Sequence, residues 1–74
     1  MLKNILIKVN TCKDADILHQ LRKKALKEAH KYEEELKQNI NLKDRFFEFK
    51  SFACRIKHTK TSITVSCVEK MKKS

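Results

Sequence analysis

Leu18, Leu21, Ala25, Ala29, Tyr32, Leu36 and Ile40 recur in steps of three and four, the period of one face of a straight α-helix. Thr11 followed by Asp14 has the spacing of a capping box, and Asp14 and Asp16 place negative charge where the helix dipole favours it. This pattern predicts a first helix over residues 12–40. Ahead of it, residues 2–9 alternate loosely, with Ile5, Ile7 and Val9 on one side, as a short β arm does. Near the far end, Ile63, Val65 and Cys67 alternate with Thr64 and Ser66, giving a possible short C-terminal strand that could pair with the arm. The last residues, 69–74, read as a frayed basic tail.

The middle of the chain admits two patterns. As one strand, residues 46–57 break parity, because Phe46, Phe52, Cys54 and Ile56 share one register while Phe47, Phe49 and Ala53 take the other. As a helix, Leu42, Phe46, Phe49, Ala53 and Ile56 fall at steps of 4, 3, 4 and 3. Asn41 followed by Asp44 repeats the helix start signal. The expected fold class is therefore mainly α, with a short N-terminal β arm and helices at about 12–40 and 42–58. The alternative is α+β with β-α-β-β order, should residues 46–57 and 62–71 form a hairpin.

Two helices would pack through Leu18, Leu21, Tyr32, Leu36, Leu42, Phe46, Phe49 and Ile56. A second stripe, one position further round, then collects Lys43, Phe47, Lys50, Cys54 and Lys57. Lysines at this spacing can track phosphates while an aromatic stacks on an unpaired base. With Arg45, Arg55 and Lys60, these residues form the candidate RNA-binding set. Arg22, Lys23, Lys24, Lys27 and Lys31 make a further basic cluster on the first helix, which reads first as a solvated face.

Charge sharpens this picture. The chain of 74 residues has eighteen Lys/Arg against nine Asp/Glu, a net charge of +9, with a balance of +3 over residues 1–40 and +6 over residues 41–74. Such an excess points to a polyanion, above all nucleic acid. Glycine and proline are both absent, which suits long helices joined by simple corners. A chain this short is expected to form a single small domain that folds fully only within a larger assembly.

Other chemistry is sparse. Cys12, Cys54 and Cys67 are odd in number and lack close pairing, so a reducing compartment is expected. Cys54 and His58 would be i,i+4 on the expected second helix, but without a second ligand pair no metal or other cofactor is expected. No glycine-rich phosphate loop, nucleophile elbow or buried carboxylate pair is present, so the chain reads as a non-enzyme without a small-molecule substrate. No apolar run reaches the length of a membrane span, and Leu2–Val9 is too interrupted for a signal sequence. The first ten residues lack arginine, which argues against a cleavable organellar presequence but leaves uncleaved import open.

In order, Ile7-Lys8-Val9, Ile17-Leu18 with Leu21-Arg22-Lys23, and Arg45-Phe46-Phe47-Glu48 resemble the bacterial-type small-subunit ribosomal protein twenty-one family. That family has an "IKV" arm, an "ALRRF" helix and an "R-[FY]-[FY]-E-K-P" junction. The likeness spans about 45 residues and needs an insertion of roughly seven in the first helix, two turns that keep its apolar face. Phe49 and Lys50 stand where the family has Lys and Pro, and the Arg-rich continuation is here only Arg55, Lys57 and Lys60. The resemblance implies a helical ribosomal protein of translation, on ribosomal RNA and beside neighbouring ribosomal proteins. A mitochondrial ribosome is the first setting it suggests, the cytoplasm the alternative. Two other functions fit the residues: an interaction subunit docking its first helix on a protein partner, and a small basic nucleic-acid-binding regulator or toxin.

Overall fold

The computed structural model describes residues 4–10 and 12–70, and its element order is β1 (Asn4–Val9), α1 (Ala15–Gln38), β2 (Arg45–Phe49), β3 (Phe52–His58) and β4 (Ser62–Glu69). The fold is α+β, with one helix and a four-stranded mixed sheet of order β1-β4-β3-β2. It is not mainly α, and the helix expected over 42–58 is a β-hairpin. The β-α-β-β alternative comes nearer, with one strand too few.

β1 lies parallel to β4, while β2, β3 and β4 form an antiparallel meander. The two edge strands β1 and β2 thus run the same way, and α1 supplies the crossover that parallel strands require. Asp14 caps the helix: its carboxylate accepts from the backbone N–H groups of Asp16 (2.9 Å) and Ile17 (3.3 Å), satisfying donors the first turn leaves open. The capping-box partner expected for it, Thr11, lies outside the described residues, as does the tail from 71 onward. The arm and the C-terminal strand pair in register from Asn4 opposite Ser62 to Val9 opposite Cys67.

Leu21, Ala25, Ala29, Tyr32 and Leu36 form the buried stripe of α1, laid on Phe52, Cys54 and Ile56 of β3 and Ile63, Val65 and Cys67 of β4. Ile5, Ile7, Val9, Phe47 and Phe49 extend this core toward both sheet edges. The apolar helix face that could have met a protein partner therefore covers the sheet. Ile40, expected at the end of that stripe, is 80% exposed beyond the helix terminus.

Parity reverses between β2 and β3. Phe49 pairs with Phe52 across Lys50 and Ser51, so the inward residues are odd-numbered before the turn and even-numbered after it. Lys50 adopts φ 53°, a left-handed conformation costing a residue with a β-carbon about 1–2 kcal/mol. Lys50→Gly removes that cost and is expected to raise the melting temperature by roughly 4–8 °C per kcal/mol gained, read by thermal unfolding.

Candidate nucleic-acid interface

Because α1 covers only one side of the sheet, the side chains of opposite parity form an open face. On it stand Leu6 and Lys8 from β1, Thr64, Ser66 and Val68 from β4, Ala53, Arg55 and Lys57 from β3, and Phe46 and Glu48 from β2. The register aligns Phe46, Arg55, Ser66 and Lys8 in one row across all four strands. Four strands at their usual spacing make that row about 14 Å long. A second row holds Lys57, Thr64 and Leu6. Phe46, Ala53, Arg55, Lys57, Ser66 and Val68 line a shallow concavity of about 350 Å³.

Phe46 is 69% exposed, and the Arg55 guanidinium lies over its ring, 5.5 Å from the centroid. Asp44 holds Arg55 in that position, its Oδ2 accepting from Nη2 at 2.6 Å and Nε at 3.0 Å. Glu48 pairs with Lys70 at 2.6 Å. Both acids at this face are thus neutralised, while Lys8 and Lys57 have no ion pair among the described residues. What remains is an aromatic ring, a guanidinium plane, two free ammonium groups and a line of hydroxyls.

The sequence-derived RNA-binding set is scattered, because its helical stripe does not exist. Arg55 and Lys57 are on the open face. Phe47 is half-buried on the helix side, and Lys50 sits at the β2–β3 turn with its ammonium 5.9 Å from the Phe49 ring centroid. Lys43 is exposed in the segment before β2, and Lys60 in the β3–β4 turn. Arg45 faces α1: it binds the Glu35 carboxylate through both terminal nitrogens and lies 5.8 Å from the Tyr32 ring centroid. That contact holds Glu35's carboxyl below its ordinary pKa and raises that of Arg45.

The expected packing set fares differently. Leu21, Tyr32, Leu36 and Ile56 are buried, and Leu18, Leu42 and Phe49 are half-buried. Phe46 is corrected from packing residue to exposed face residue, since strand alternation sends it away from Phe47. Lys8, Ser66 and Thr64 were missed, although the alternation of 62–68 already set Thr64 and Ser66 opposite the apolar residues.

At the other end of the core, Tyr32 is fully buried and its hydroxyl meets His58 Nδ1 at 2.8 Å and the Lys43 carbonyl at 3.2 Å. Burial is the main reason its pKa is raised, with Asp44 adding to the effect. Nearby, Leu36, Ile40, His58 and Lys60 line an open groove of about 610 Å³. Cys54 and His58, four residues apart on a strand, are separated by about 13 Å along the chain rather than one helical turn. Among the described residues no three His, Cys, Asp or Glu side chains are grouped to hold a metal. No helix there is long and apolar enough to cross a membrane. Comparisons with protein-family models, curated proteins and solved structures find no match to this chain.

Proposed function

We propose that the protein binds single-stranded nucleic acid on the open face of its sheet. The observation that carries this is the exposed Phe46 beneath Arg55, in line with Ser66 and Lys8 and beside Lys57. A base stacks on the ring or the guanidinium plane, the ammonium groups take phosphates, and the serine and threonine hydroxyls accept or donate along the path. Duplex nucleic acid fits this face poorly, because its bases are already stacked and the useful ring would find no partner. RNA bound within a ribonucleoprotein, a ribosome in mitochondria or the cytoplasm included, is one setting for such a face. The junction motif Arg45-Phe46-Phe47-Glu48 contributes to it as a strand, Phe46 outward and Arg45 inward, rather than as a helix opening.

Phe46→Ala tests this directly. Losing one stacking platform costs about 1–3 kcal/mol, so affinity for a single-stranded oligonucleotide is expected to fall roughly 5- to 150-fold. The ring is outside the core, so the melting temperature should move little. Lys57→Ala should lower the slope of log affinity against log salt by about 0.7. Fluorescence anisotropy that shows wild-type affinity in both variants removes the sheet as the binding face.

A further inference from the structure

We infer that the outward face of α1 is a second polyanion site, which takes the phosphate backbone of a duplex and lets one molecule join that duplex to a strand held on the sheet. Lys23, Lys27 and Lys31 are exposed and successive at i,i+4, which stacks three ammonium groups on one line about 6 Å apart along the axis. Like charges in this arrangement destabilise a helix by about 0.2–0.5 kcal/mol per pair. Opposite charges would normally relieve them, and α1 carries the acids to do so.

Beyond Asp16 in the first turn, those acids have other partners. Glu28 pairs with Lys24 at 3.1 Å, Glu33 approaches His30 at 3.9 Å, Glu34 pairs with Lys37 at 3.4 Å, and Glu35 is held by Arg45 of β2. Among the described residues the three ladder lysines have no ion pair, and neither does Arg22 beside them. This leaves a cationic line pointing away from the sheet, and the one acid in the same patch, Glu34, is paired with Lys37. Leu26, His30 and Glu34 stand among the lysines, with no phenylalanine, tyrosine or tryptophan to offer a free base a broad stacking platform. A surface of this composition recognises phosphates and not bases, which suits a duplex.

The two sites lie on opposite sides of the molecule, separated by the buried layer between α1 and the sheet. One short strand cannot engage both without wrapping around the domain, so two nucleic-acid segments are brought together instead. Joining them rests on the sheet-face function proposed above; duplex binding by α1 does not.

The test uses the full chain with Lys23→Gln, Lys27→Gln and Lys31→Gln combined. These changes remove like-charge repulsion at exposed positions, so the helix is retained, as circular dichroism would show. Affinity for a duplex of about 20 base pairs should fall at least tenfold at low salt, and the salt slope should drop by roughly 2.7, about 0.9 for each lost phosphate contact. Binding of a single-stranded oligonucleotide should stay within about threefold, since neutral residues on the far side alter only the long-range field. Wild-type protein should also capture labelled duplex on an immobilised single strand, and the triple variant should not. Unchanged duplex affinity and salt slope in the triple variant overturn the α1 site. If Phe46→Ala keeps full single-strand affinity while the triple variant loses the duplex, the sheet-face function fails and the α1 site stands, with joining abandoned.

Discussion

Tyr32→Ala is expected to lower the melting temperature by roughly 12–40 °C, the largest loss of any single substitution considered. Tyr32 is among the largest fully buried side chains and sits where α1 crosses toward β2 and β3. Truncating a buried aromatic to alanine costs about 3–5 kcal/mol, through lost transfer energy and the cavity left behind. At about 0.05–0.15 kcal/mol per residue, the whole domain has roughly 4–11 kcal/mol to lose. The hydroxyl matters separately. It has one proton to give, and when it gives that proton to the Lys43 carbonyl, His58 completes the arrangement by donating Nδ1–H to the tyrosine oxygen. Tyr32→Phe keeps the ring and strands the carbonyl, an expected cost of about 1–3 kcal/mol.

That milder variant also reports on the site. Tyr32 bonds the segment just before β2, and Arg45 at the start of β2 rests on the Tyr32 ring while holding Glu35. These contacts fix the edge strand that carries Phe46 outward. Tyr32→Phe should therefore loosen the edge and weaken single-strand binding modestly, with less loss than Phe46→Ala. Thermal unfolding by circular dichroism separates the cases. A Tyr32→Ala chain melting within a few degrees of wild type would show that the helix–sheet core does not depend on this residue.

The helix and the first and last strands of the chain were readable because an apolar period runs through each. Leu21 to Leu36 keeps one face through four turns, and Ile63, Val65 and Cys67 alternate without interruption. The central hairpin was hidden by its own turn. A two-residue connection puts Phe49 opposite Phe52, so Phe47 and Phe49 point inward before it and Phe52, Cys54 and Ile56 after it. Joined as one string, these inward positions step by 2, 3, 2 and 2, which no single strand period fits. Leu42, Phe46, Phe49, Ala53 and Ile56 instead give the 4, 3, 4 and 3 steps of a helix by mixing inward and outward residues. A glycine or asparagine would have marked the corner, but Lys50-Ser51 stands there, with Lys50 held at positive φ by the pairing on either side. The site shared the fate of the hairpin: once its parity is wrong, Phe46 and Phe47 exchange places, and the lysines assigned to one stripe disperse over a loop, a turn and a strand. Lys8 could not be assigned to it at all, since it joins the face only through the parallel pairing of β1 with β4.

Alkaline pH should destabilise this fold through two buried thiols. Cys54 and Cys67 are direct cross-strand partners on the buried side of the sheet, both reduced and almost fully enclosed. Burial pushes both thiols above their ordinary pKa, and the contact with Cys67 adds to the rise at Cys54. The folded state therefore holds these protons to a higher pH than the unfolded chain does. Below the unfolded value of about 8.5 the stabilisation from the neutral thiols is complete; above it, each thiol removes about 1.4 kcal/mol per pH unit until the folded value is reached. Cys54, the more strongly raised, takes about 2 kcal/mol between pH 8.5 and 10, and Cys67 adds to the loss in the same direction. Tyr32, also raised by burial, reinforces the loss once its unfolded value near 10 is passed. Urea unfolding at pH 7.5, 8.5 and 10 measures the decline. Cys54→Ala with Cys67→Ala should be less stable at neutral pH but lose much less between 8.5 and 10; parallel decline of the two proteins would exclude the thiols as its source.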